Sequence, residues 1–235
     1  SHSAAARMLM PNRRAWLALM FVTGFCSMVY ELAMAQLLAS IMGNVMGRFA
    51  TTLGGYGFGL GLGSIMFKPR DEIQDSWLFF KAEVALFVVG ISSPFLFVGI
   101  HRTFGGEPTI VLLGTHALIF ATGFLSGFEL PILASLIDRR SGESDATALS
   151  ADYFGMFAAS LAFPLLLFPF MGLGAALWTA TLLNLAAAIA TYFMIGGKSK
   201  VMYSALATFF LVNVVALVSS DSLHRWLSGV YASIS

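Results

Sequence analysis

Charge is what this sequence has least of. Of 235 residues, 13 are Lys or Arg and 12 are Asp or Glu, so 11% carry charge, against about 25% in an ordinary soluble domain. With 58% hydrophobic residues and a mean hydropathy of +0.83, a water-soluble globule of this length has too little interior to hide the apolar surface. Basic excess is also missing: a net charge of +1 excludes nucleic acid as a partner. The single cysteine, Cys26, excludes a disulfide scaffold. Neither a Gly-x-Ser-x-Gly elbow nor a His-Glu-x-x-His pair occurs, and no second His or Cys stands at ligand spacing beside His116. The motifs therefore predict no catalytic residue, no metal and no cofactor. What is present instead is long apolar runs, whose first partner is the lipid bilayer.

A helix needs about 20 mostly apolar residues to cross about 30 Å of hydrocarbon. Such stretches cover 15–41, 46–67, 77–100, 109–137, 146–170, 173–195 and 201–219. They are apolar throughout rather than alternating, which argues against a transmembrane barrel. The expected fold is thus all-α, a polytopic membrane bundle of about seven helices spanning 15–219. Gly43-Asn44, Lys68-Pro69-Arg70, Gly105-Gly106 and residues 138–145 mark turns, and Gly172 and Gly174, just after Pro169, mark a tight one. Residues 1–14 form a short N-terminal segment whose opening Ser-His-Ser is the pattern left by tag removal. Beyond the last span, Leu223, Trp226, Leu227, Val230, Tyr231 and Ile234 recur on one helical face. Too short to cross, 220–235 is expected to lie on the bilayer as an interfacial amphipathic helix.

Loop charges orient the bundle. With the N-terminus cytoplasmic, Arg7, Arg13, Arg14, Lys68, Arg70, Arg139, Arg140, Lys198 and Lys200 all fall inside. Only Arg48, Arg102 and Arg225 fall outside, while Lys81 sits within a span. This positive-inside bias predicts a multi-pass protein of the cell (inner) membrane with its C-terminus on the non-cytoplasmic side.

The second span is rich in glycine. Gly55, Gly59 and Gly63 form one small-residue stripe, and Gly57 and Gly61 a second, roughly opposite. Small residues let helix backbones approach closely in lipid, so these five are read as packing positions. Two stripes predict a central helix pressed between two neighbours, or a close contact in a homo-oligomer. A nucleotide loop is the weaker reading, because neither the Gly-x-Gly-x-x-Gly register nor a flanking strand is present.

The informative residues are charges where lipid makes them costly, at least about 2.5–3.5 kcal/mol at a helix centre. Tyr30-Glu31 lies in the first span, Lys81-Ala-Glu83 in the third, Glu129 in the fourth and Asp152-Tyr153 in the fifth. At 1.5 Å per residue, Glu129 is roughly 12 Å and Asp152 roughly 9 Å from the cytoplasmic end of its span. Glu83 is similarly placed, so these three acids are expected to share a pocket, with Lys81 as a local counter-ion and Glu31 deeper. Pro94, Pro131 and Pro164 each remove a backbone donor and free a carbonyl nearby. Glu31, Glu83, Glu129 and Asp152, with Tyr30 and Tyr153, are the candidate ligand residues, for a polyamine, another small cation or a proton. The competing reading is that these acids bond to neighbouring polar groups and only lock the bundle.

Several segments together resemble the membrane domain of membrane-bound spermidine synthases, the transmembrane polyamine aminopropyltransferases. They are Gly24-Phe-Cys-Ser-Met-Val-Tyr30-Glu31-Leu, the glycine-rich run ending Gly61-Leu-Gly63-Ser64, and Gly127-Phe-Glu129-Leu-Pro131. The last is Ala151-Asp152-Tyr153-Phe-Gly155, followed by Ala162-Phe163-Pro164 and Leu173-Gly174. The resemblance implies aminopropyl transfer carried by a soluble Rossmann-like domain after the spans, whose glycine-rich loop and amine-binding acids do not occur within this sequence. It leaves open a piece of a longer enzyme or a stand-alone relative. It also conflicts with the charge count, since a cytosolic cosubstrate calls for a cytoplasmic C-terminal side. Three functions follow as expectations: a membrane domain that anchors and binds or passes polyamine, a small cation or metabolite transporter, or a structural assembly subunit.

Overall fold

The computed structural model describes residues 13–141 and 146–219. Residues 1–12 of the expected terminal segment 1–14, and the expected interfacial helix 220–235, lie outside the described residues, while Arg13 and Arg14 open the first helix. Among those described the chain is helical and contains no strand: α1 Arg13–Met42, α2 Val45–Met66, α3 Glu72–Phe104, α4 Pro108–Ser141, α5 Ala146–Ala162, a π-helical turn Phe163–Leu167, α6 Phe168–Met194 and α7 Lys200–Val218. Starts are set by side-chain caps. Asp71 accepts from the Gln74 N–H at 2.8 Å, and Asn44, in the left-handed region at φ 49°, accepts from the Gly47 N–H. The π-turn falls at Pro164, where the missing N–H breaks the regular ladder and Phe168 N–H reaches back to the Phe163 carbonyl.

Five stretches are long and apolar enough to cross a membrane: α1, α3, α4 over Pro108–Arg139, the 49-residue run Ala146–Met194, and α7. The long run is not a straight rod. Ala148 and Ala187 belong to one cluster around Trp16 and Met20, whereas Ala159, Phe163, Ala176 and Leu177 belong to another around Ala33, Met34 and Leu37. A straight helix would hold Ala148 and Ala187 about 58 Å apart. The chain instead doubles back at Gly172, whose φ of 80° and ψ of 171° only glycine adopts without strain.

The central helix is α1, not α2. Its residues from Cys26 to Leu38 share a core with Tyr56 of α2, Leu86 and Phe97 of α3, Ile119 of α4, Ala159 of α5, and Ala176, Leu177 and Ala180 of α6. The glycine helix lies at the edge. A Cβ added to Gly59 would stand 2.5 Å from the Phe120 carbonyl oxygen and 2.9 Å from Phe124 N, and one on Gly63 would meet the Phe124 carbonyl. Reciprocally, Gly123 and Gly127 of α4 approach the backbone of Tyr56 and Leu60. Around Gly54, Gly57 and Gly61 nothing lies within 4 Å, so the second stripe faces outward. One face of α2 suffices because its partner presents its own small pair, so both backbones close up along a single seam.

At the end where α3 begins and α4 ends, a buried ion pair ties the two together. Asp75, with no exposed surface, bonds Arg139 at 2.8 Å. The Arg70 N–H also donates to Asp75, and Arg139 donates to the Arg70 carbonyl. Two Arg139 contacts thus fix α3 and the α2–α3 turn to α4.

Candidate functional site

Three helices meet through one phenol. On α1, Ser27 and Glu31 are one turn apart on the same face. On α4, Ser126 and Glu129 are similarly spaced. Tyr56 enters between them from α2, its hydroxyl 2.9 Å from Ser27 Oγ and donating to Ser126 Oγ at 3.0 Å. The fourth wall is α5, which presses against α1 at glycines. A Cβ on Gly155 would strike the Phe21 carbonyl, and one on Gly24 would lie 2.7 Å from Asp152 Oδ1. That approach seats the Asp152 carboxyl beside Gly24, at the bundle interior's edge.

These elements enclose a cavity of about 180 Å³. Ser27, Ser126, Glu129, Asp152 and Tyr153 supply its polar lining, and Leu60, Leu130 and Met156 its apolar wall. Behind Glu129, on α3, stands Glu83, close enough for the two carboxyls to interact directly. Glu83 has no exposed surface and Glu129 only 3%. Apart from that carboxyl–carboxyl contact, both Glu83 oxygens, Glu129 Oε1 and Tyr30 Oη are buried with no protein partner. A buried polar group left without a partner costs about 1–3 kcal/mol. These buried oxygens leave room for water or a ligand to supply the missing hydrogen bonds. The lining holds carboxylates and hydroxyls but no Lys, Arg or His. Its chemistry therefore suits a donor-rich cation, an ammonium above all. Among the described residues no group of three or more His, Cys, Asp or Glu side chains is arranged to hold a metal ion.

The expected residues divide. Glu83, Glu129 and Asp152 come together, Tyr153 forms an exposed rim, and Tyr30 lies buried behind, its hydroxyl facing Gly90 of α3. Glu31 is outside the cavity, half-buried near Tyr56. Lys81 is no counter-ion: it is exposed and lines a separate groove between α3 and α7. Residues two apart on a helix point about 200° from each other, so Lys81 cannot face Glu83's partners. His116 Nδ1 is 2.9 Å from the Leu112 carbonyl oxygen of its own helix. Ser27, Tyr56 and Ser126 went unrecognised in the sequence. For Ser27 and Ser126 the available signal was their helical spacing from Glu31 and Glu129; Tyr56, on another helix, offered none.

Comparison with known proteins agrees with the motif resemblance. A polyamine aminopropyltransferase 2 of Streptomyces coelicolor is 35% identical over 177 residues, covering 70% of this chain and 31% of that protein. A polyamine aminopropyltransferase of Corynebacterium efficiens is 33% identical over 186 residues, 74% of this chain and 34% of that one. One from Mycobacterium tuberculosis H37Rv is 31% identical over 186 residues, 75% and 35%. No family model and no solved structure matches the chain. The chain spans about a third of the length of these curated relatives. By sequence it is related, over that third, to proteins named polyamine aminopropyltransferase, the spermidine-synthase-like relationship that its motifs suggest.

Proposed function

We propose that this chain is the membrane domain of a polyamine-aminopropyltransferase-like protein, and that its acidic cavity binds a polyamine or similar cation within the bilayer. The observation that carries the reading is a cavity lined by Glu129 and Asp152 from two helices, with Glu83 of a third buried directly behind Glu129. The names of the relatives supply the ligand class: proteins acting on polyamines make an extended di- or triamine the natural cation to try first. Seven crossings follow if α2, about 33 Å long over its 22 residues, crosses alongside α1, and if the doubled-back run crosses twice. Seven of those 22 residues are glycine, which adds no apolar side chain and lowers the helix's hydropathy without shortening it. An N-terminus on the cytoplasmic side accords with the loop lysines and arginines. In this reading the domain anchors the protein and offers amine a site at the membrane.

The test is equilibrium binding of spermidine and putrescine to the chain in lipid nanodiscs. Loss of one charge-assisted hydrogen bond is worth about 1.5–3 kcal/mol, so Glu129→Gln and Asp152→Asn should each weaken binding at least about tenfold. Affinities indistinguishable from the parent's would reject the site.

A further inference from the structure

We propose a second binding site, for one anionic phospholipid, in the groove between α3 and α7. This groove, of about 420 Å³, is lined by Val84, Val88, Met202, Leu206 and Phe209 among other apolar side chains, with Lys81 its one charged residue. Three ring contacts fix the register. Phe87 packs tilted against Phe209 with ring centroids 5.2 Å apart, and Tyr192 joins Trp77, 6.0 Å away, to Tyr203, 5.5 Å away. The helices therefore run parallel, and the start of α7, at Lys200, lies at the same end as Trp77 and Lys81.

That end is a built cationic mouth. Tyr192 Oη accepts from the Ser199 N–H at 2.9 Å, and Tyr203 Oη donates to the Gly197 carbonyl at 2.6 Å. These bonds clamp the α6–α7 connection over the aromatic cluster and so hold the backbone of Lys198 and Lys200 at this end of the groove. All three lysines are exposed, and none forms an ion pair among the described residues. Lys81 is one helical turn beyond Trp77, about 6 Å further into the bilayer. From there its stem lies along apolar surface while the ammonium reaches back to headgroup depth. Trp and Tyr take that same depth in membrane proteins. A phosphate at the lysines, with an acyl chain down the groove over the roughly 12 Å from Lys81 to Val89, satisfies both halves. A zwitterionic lipid would fill the groove but leave the three cations uncompensated.

The site is independent of the amine cavity, which lies across the bundle on α1, α4 and α5. Native mass spectrometry of the chain in mild detergent, with equal amounts of dioleoylphosphatidylglycerol and dioleoylphosphatidylcholine, reads it directly. One phosphatidylglycerol per chain should be retained in preference to phosphatidylcholine. Lys81→Gln, Lys198→Gln and Lys200→Gln should each lower that preference about fivefold. Ala205→Phe, which fills the groove and alters no charge, should abolish retention, while glycerophosphoglycerol, the headgroup without chains, should not displace the lipid. Unaltered circular-dichroism melting certifies that each variant is folded. Equal retention of the two lipids, a preference unchanged in the triple lysine variant, or a dimer that excludes lipid from this face would overturn the proposal.

Discussion

Glu83 is the residue at which stability and function should separate. Its carboxyl is fully buried beside that of Glu129 and bonds no other protein group, so the fold gains nothing from its charge. Glu83→Gln should leave the ligand-free protein as stable as the parent, or raise it by up to about 1 kcal/mol, while weakening spermidine binding at least tenfold. Lower stability with unchanged affinity would assign Glu83 to the bundle's architecture instead. Asp75 is the contrasting case, a buried acid fully engaged by Arg139 and the Arg70 N–H. Asp75→Asn should cost about 1.5–3 kcal/mol in equilibrium unfolding and leave amine binding unchanged. The membrane acids were legible in the sequence because a carboxyl in an apolar run is conspicuous. Asp75 was not, standing among many charges of a turn, and its partner lies 64 positions away. Ser27 and Ser126 were equally silent, since hydroxyls in membrane helices commonly bond their own backbone and only the fold brings these two to Tyr56.

For the helices, the two glycine stripes of α2 make opposite predictions. Gly59→Ala sets a methyl against the backbone of Phe120 and Phe124, which cannot rotate away, so the α2–α4 seam must open at about 1–3 kcal/mol. Gly57→Ala meets nothing within 4 Å and should stabilise the helix by up to about 1 kcal/mol. Unfolding curves of the two variants decide it, and equal effects would show that α2 is gripped on both sides. Small-residue spacing indicated that α2 packs closely but not on how many faces. That depended on α4 carrying its own Gly123 and Gly127, a match no reading of one helix contains. Helix boundaries were more legible, because Asn44, Asp71 and Ser199 cap the elements where turn residues cluster.

Across the whole molecule, the fold depends on the reversal at Gly172. Gly172→Ala forces a side chain into a backbone region that costs about 1–3 kcal/mol, and should lower unfolding stability by that amount. The turn was legible from its glycines and Pro169; the centrality of α1 was not, since nothing in its composition separates it from the other apolar runs. Topology has its own readout. In a Cys26→Ser background, Ser199→Cys should react with an impermeant maleimide from the cytoplasmic side and Gly106→Cys from the opposite side; labelling of both from one side would contradict the orientation. The central claim is that amine binds between α1, α4 and α5, and the most direct measurement is photo-crosslinking. A spermidine analogue bearing a diazirine should label peptides around Ser27, Ser126 to Leu130 and Asp152 to Met156, and excess spermidine should suppress that labelling. Adducts confined to the loops, or labelling of these peptides that spermidine does not compete, would contradict it.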